Sequence, residues 1–166
     1  AKKVKEGQGT RFGSGEAQIS RIELLDRTGR PVGSMRTGDE ATIRLHFRCE
    51  ETIEKPVFGC SIDTREGTFA WGLHGLDDGF QPETIEPGEG TVDVSIPAMM
   101  LRPGAYLISG SIQPWQLSSV MAACQKATAV DIIPGPRLES GGLVALGAHD
   151  ERIDPPRPMV TFTKDD

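Results

Sequence analysis

An all-β antiparallel sandwich is the fold class this sequence predicts, on three observations. Amphipathic runs long enough for a helix are nearly absent. Turn formers are abundant, with 20 glycines and 12 prolines among 166 residues, and they cut the chain into short segments. Between the turns, apolar and polar side chains alternate. The clearest case follows Pro103-Gly104: Tyr106, Ile108, Gly110 and Ile112 fall on one face, and Leu107, Ser109, Ser111 and Gln113 on the other. The length suits one domain, which buries roughly 70% of the surface its unfolded chain exposes.

In chain order, residues 1–16 are rich in Lys, Gly and Glu with little to bury, and read as a linker. Residues 18–25 form the first strand, in which Ile19 and Ile22 are out of step by one position, a mismatch that a β-bulge reconciles. Asp26-Arg-Thr-Gly29 turns the chain into a short edge strand at 31–35, where Pro31 is tolerated. The segment 41–48 alternates cleanly, with Ile43, Leu45 and Phe47 inward and Thr42, Arg44, His46 and Arg48 outward. Residues 56–64 place Phe58, Cys60 and Ile62 on one side and Val57, Gly59, Ser61 and Asp63 on the other. Arg65-Glu-Gly67 leads into a strand at 68–73 carrying Phe69 and Trp71, and then into a long glycine-rich loop with Asp77-Asp78.

Residues 91–97 form a further alternating strand, ended by Pro97. The strand after Pro103-Gly104 opens on the chain's single tyrosine, Tyr106. A Pro-Gly turn leading to such a Tyr resembles the tyrosine corner of immunoglobulin-like sandwiches, in which the phenol bonds to backbone just upstream. Residues 116–125 hold the one place where a helical turn fits, and a strand resumes over 127–133. Pro134-Gly-Pro136 is a stiff spacer before a last apolar strand at 142–147, an arrangement that permits strand exchange between two chains. The total is about eight or nine strands. The domain spans 17–148, and 149–166 is a polar, proline-rich tail.

Composition narrows the function. The formal net charge is −6, with no basic stripe interleaved with aromatics, so no nucleic-acid groove is predicted. No run approaches the roughly 18 apolar residues of a membrane span, and the first residues lack the apolar segment of a secretion signal. The three cysteines, Cys49, Cys60 and Cys124, have no C-x-x-C spacing. They read as reduced thiols of a cytosolic protein, a Cys49–Cys60 disulfide being the alternative. No P-loop, G-x-G-x-x-G or G-x-S-x-G motif occurs. His46, His74 and His149 stand without metal-ligand spacing, and Asp77-Asp78-Gly79 reads as an acidic turn rather than a calcium loop. No catalytic residue, metal ligand or cofactor site is nominated.

What remains is a face of small polar residues. Ser61 and Asp63 on one strand and Ser109, Ser111 and Gln113 on another offer hydroxyl, carboxylate and amide groups. Trp71 and Trp115 stand near strand ends, where an indole stacks on the C–H face of a sugar, and Arg65 and His74 near Trp71 add directional hydrogen bonds. These nine residues are the candidate carbohydrate-binding set. The rivals are a protein-interaction module and, behind it, a sugar-modifying enzyme.

Several stretches carry a family resemblance: Gly13-Ser-Gly-Glu-Ala-Gln-Ile19, Ile22-Glu-Leu-Leu-Asp26, Gly29-Arg-Pro31, Arg36-Thr-Gly38, Pro56-Val-Phe-Gly59 with Ile62-Asp-Thr-Arg-Glu-Gly67, Gly88-Glu-Gly90, and Leu101-Arg-Pro-Gly-Ala-Tyr106. In this order and spacing, over about Gly13 to Gly147, the chain resembles the C-terminal domain of the ATPase subunit of bacterial O-antigen polysaccharide ABC exporters, the Wzt type. The resemblance implies a non-catalytic immunoglobulin-like sandwich that binds O-antigen polysaccharide and couples its recognition to export. It implies a homodimer exchanging C-terminal strands, with lipid-linked O-polysaccharide and the transmembrane export subunit as partners, at the cytoplasmic face of the inner membrane. ATP and magnesium are then expected only in an ATPase domain upstream of residues 1–16, and no cofactor in this chain. The segment Gln113-Pro-Trp-Gln-Leu-Ser-Ser119 departs from the family pattern, and no family binding residue is carried over.

Overall fold

The computed structural model describes residues 9–136, 142–145 and 159–164, the last as backbone. Twelve strands are assigned: β1 (Thr10–Phe12), β2 (Ala17–Asp26), β3 (Ser34–Arg36), β4 (Ala41–Cys49), β5 (Ile53–Glu54), β6 (Val57–Thr64), β7 (Phe69–His74), β8 (Thr84–Ile85), β9 (Gly88–Ile96), β10 (Gly104–Gln113), β11 (Ala122–Ile133) and β12 (Met159–Lys164). They build the expected antiparallel sandwich. The first sheet runs β1-β11-β10-β6-β7, with β3 also on β11; the second runs β12-β9-β4-β2, and β5 pairs with β8 as a small ribbon. The parallel β3–β11 pair is the exception to the antiparallel pattern.

The alternation read from the sequence sets the core. Ile62, Ile108, Ile112 and Val130 from the first sheet meet Ile22, Ile43, Leu45 and Val92 from the second, all fully or almost fully buried. The bulge expected in β2 is present between Ile19 and Arg21, so Ile19 and Ile22 both point inward. The corner at the head of β10 also forms: the buried Tyr106 hydroxyl donates to the Arg102 carbonyl at 2.8 Å.

Four expectations change. Residues 1–16 are not all linker, because Thr10–Phe12 pair with Gln125–Ala123 of β11. The only helical turn among the described residues is Gly75–Asp78, where the Asp77 carboxylate accepts the His74 N–H at 3.2 Å. Residues 116–121 are a non-helical loop, and β11 starts earlier than expected, at Ala122. Of the strand expected at 142–147, residues 142–145 form one bridge, Leu101 with Val144, and residues 146 and 147 lie outside the described residues. Within the polar tail, Met159–Lys164 form β12 on the edge of the second sheet, in register with Gly90–Ser95. Here the ladder of β9 supplies backbone partners that the local composition gave no sign of.

Cys49, Cys60 and Cys124 are free and buried. Burial, with the Glu50 charge adding to it at Cys49, pushes the thiols up to about 11 at Cys49 and about 12 at Cys60, and raises Cys124 too. A raised pKa keeps the thiol protonated, and the thiolate is the nucleophile. Native protein is therefore expected to resist Ellman's reagent at mildly alkaline pH, whereas denatured protein should titrate all three cysteines. Rapid reaction of one thiol in the native state would contradict this burial.

Candidate functional site

The outer face of the first sheet carries a trough whose shape follows from strand register. Phe12 lies opposite Ala123, Ala123 opposite Ser111, Ser111 opposite Gly59, and Gly59 opposite His74. One lateral row thus crosses β1, β11, β10, β6 and β7 with large rings at its ends and the small residues Ala123, Ser111 and Gly59 between them. The ends are four strand spacings apart, roughly 19 Å. A Cβ added to Gly59 would lie 2.8 Å from His74 Cδ2 and 2.9 Å from Ser111 Oγ, so the two side chains close in over the bare Gly59 backbone, which only a glycine allows.

The polar groups stand along this row and the next. Ser109 faces Ser61 across β10 and β6, and Ser61 faces Gly72 on β7. Between Ile108 and Gly110 the β10–β11 ladder slips: Ile108 opposes Thr128 while Gly110 opposes Cys124, which gives β11 two extra residues there. Lys126, at positive φ (54°), sits in that irregularity, and its N–H donates to Ser109 Oγ at 3.0 Å. The bond orients the Ser109 hydroxyl. The resulting concavity of about 250 Å³ is lined by Ser61, His74, Ser109, Ser111, Gln113 and Gln125, with Phe12, Cys60, Val120 and Ala123 beside them. The serine, histidine and glutamine side chains offer hydrogen-bonding groups, and none of those groups is a carboxylate, ammonium or guanidinium.

Five of the nine residues singled out from the sequence therefore converge, namely Ser61, His74, Ser109, Ser111 and Gln113. The other four do not. Asp63 lies farther along β6, opposite Leu107 and Phe69. Arg65 is in the β6–β7 turn, its N–H donating to the Ala105 carbonyl at 3.1 Å. Trp71 pairs with Ile62 on the inner side, packs against the core and lines an apolar cleft with Met99 and Leu101. Trp115 is 55% exposed in the loop after β10 and lines a separate depression with Glu51 and Glu54, adjoining the Gln113 end of the trough.

Three groups on this face were missed. Phe12, 47% exposed, fell in the supposed linker. Gln125 fell in the supposed helical turn. Phe69, 64% exposed, reaches across Gly72, where an added Cβ would lie 2.8 Å from Phe69 Cζ. Its ring is thus spread over the same outer face beside Ser61, and the aromatic surfaces next to the serines are two phenyl rings rather than two indoles. Among the described residues no group of His, Cys, Asp and Glu is arranged to hold a metal ion, and no helix is long and apolar enough to cross a membrane.

The Wzt C-terminal domain family model matches residues 8–146. Among solved structures, the chain is similar to the crystal structure of the C-terminal domain of Wzt, at 17% identity over 86% of this chain and 89% of that one, with a TM-score of 0.74. It is also similar to a Niemann-Pick type C2 protein from Japanese carpenter ant, at 10% identity over 75% of this chain and 98% of that one, with a TM-score of 0.53. At these identities the two structures speak for the fold. No curated protein matches the chain.

Proposed function

Because this chain belongs to the Wzt C-terminal domain family, we propose that it binds O-antigen polysaccharide in the trough between Phe12 and His74 and couples that recognition to export by an ABC transporter. The observation that carries the reading is the convergence of Ser61, His74, Ser109, Ser111 and Gln113, with His74 and Ser111 drawn together over the side-chain-free Gly59. Hydroxyls and amides both donate and accept, which suits the hydroxyl-rich edge of a sugar, while Phe12 and Phe69 present rings to its C–H face. Each neutral hydrogen bond adds about 1 kcal/mol net. A handful of them on a shallow, solvent-open surface gives weak binding, as a domain that must release its polymer requires.

The domain's part is non-catalytic. It holds and presents lipid-linked glycan at the cytoplasmic face of the inner membrane, next to the transmembrane export subunit, while ATP and magnesium act in a nucleotide-binding domain of the same transporter. A homodimer in which β12 comes from the second copy would preserve the β12–β9 register of this chain. The spacer for that exchange is Pro134-Gly-Pro136, in which Gly135 seats closely on the Thr37 backbone.

A second reading is favoured by one observation. Trp115 and Leu117, 55% and 45% exposed, stand together on the loop after β10 and suit contact with a protein such as the export subunit. Calorimetric titration with O-polysaccharide released from the lipopolysaccharide of the source strain separates the two. Glycan binding in the trough predicts measurable heat and a loss of about tenfold in affinity for His74→Ala and for Gln113→Ala. Trp115→Ala should then have a smaller effect. Absence of heat with the wild-type domain would leave the protein-contact reading.

A further inference from the structure

The wall of the trough beyond β11 is Phe12, and Phe12 stands on a three-residue edge strand, Thr10–Phe12. That strand is seated by backbone and by one side chain. Gly9 and Gly13 bracket it at positive φ, 33° and 148°. A Cβ at Gly9 would lie 2.6 Å from the Gln125 carbonyl oxygen, and one at Gly13 would lie 2.9 Å from Ala122 Cα. Both ends thus lie directly on β11 with no room for a side chain. Arg11 is not among the residues lining the trough: its Nε donates to the Ile19 carbonyl at 3.1 Å and its Nη2 to the Ser20 carbonyl at 2.9 Å. Ser20 is the residue that the β2 bulge leaves out of the β2–β4 register. On its other flank β1 borders a second furrow of about 290 Å³, lined by Arg11, Gly13, Gln18 and Met121 among others. All three residues of β1 are exposed, and segments with few buried contacts open at the lowest free energies.

We propose that β1 is a ligand-binding element, with Phe12 as a contact that determines affinity, and that its docking on β11 is thermodynamically linked to occupancy of the trough. The proposal rests on the glycan reading above. Saccharide in the trough packs against Phe12 only while β1 is docked, so it favours the docked strand by as much as its affinities for the two states differ. The coupling is reciprocal: whatever loosens β1 weakens the ligand, even from a residue that never touches it.

The test is hydrogen exchange and calorimetry on the full chain, with the same released O-polysaccharide as probe. At saturation, amide exchange over residues 10–13 is expected to slow about tenfold while β4 is unchanged. Phe12→Ala should weaken binding about tenfold, with Phe12→Tyr restoring most of it. Arg11→Ala, which loosens β1 without altering the trough lining, should weaken binding about fivefold, at the low end of measured couplings. Wild-type binding with unchanged exchange at residues 10–13, or full affinity in Arg11→Ala, overturns the linkage while leaving the glycan reading intact. No binding by the wild-type chain rejects the glycan reading and the linkage together.

Discussion

Replacing Gly59 by valine is expected to abolish glycan binding while leaving the sandwich folded. Gly59 lies mid-strand on β6 between Ser111 and His74, and its Cβ position is already within 3 Å of Ser111 Oγ and His74 Cδ2. Both obstacles are ends of side chains on the outer face, so they swing aside and the core is not disturbed. Valine also suits a strand. What is lost is the floor: two methyl groups fill the lowest part of the trough, and His74 and Ser111 are turned from the positions in which they line it. Losing two hydrogen bonds and the close approach of a ring costs about 3 kcal/mol, or over a hundredfold in affinity. Gly59→Ala should fall between the wild type and valine. The measurement is titration with released O-polysaccharide alongside urea unfolding. Undiminished affinity in a folded Gly59→Val protein would place the ligand elsewhere, with the Trp115 depression next in line.

The extent to which this site could be read in advance follows from the regularity of the strands. From Gln113 to Tyr106, β10 opposes Val57 to Thr64 of β6 without a break, so the period of two carried Ser61, Ser109 and Ser111 to one face correctly. Trp71 failed for a local reason. The β6–β7 ladder passes from Ile62↔Trp71 to Asp63↔Phe69, leaving Ala70 as an extra residue. Period two would put Phe69 and Trp71 on one side; the bulge sends Phe69 outward and Trp71 in. Phe12 failed because three residues show no period, and their pairing is dictated by β11, more than a hundred positions away in the chain. Gln125 fell in the supposed helical turn because the two extra residues of β11, where Lys126 takes a positive φ, break the alternation that would have marked a strand there. Long ladders declare themselves in sequence, whereas bulges and short edge strands do not, and here they decide which aromatic rings flank the polar groups.

On the other side of the same strand, Gly110→Val is expected to cost the sandwich a large part of its stability. Gly110 is the one inward position of β10 without a side chain, between Ile108 and Ile112, and an added Cβ would meet Leu45 Cδ2 at 2.6 Å and Ile22 Cδ1 at 2.9 Å. Those methyls belong to β4 and β2, so they reach across the sandwich into the space the glycine leaves. Unlike the side-chain ends above Gly59, they have no solvent to move into, because Ile22 and Leu45 are buried on every side. Relief requires off-rotamer side chains or separation of the sheets, at about 3 kcal/mol for an overpacked core. For a domain of this size that lowers Tm by roughly 6–12 °C, and urea unfolding should show a reduced midpoint at an unchanged slope. Because the injury spreads from the interior, Ser109 and Ser111 on either side are tilted as well, and glycan affinity should decline modestly along with stability. A Gly110→Val protein as stable as wild type would mean that the two sheets are not packed through β10, β4 and β2, and the trough would lose the rigid floor on which its polar row depends.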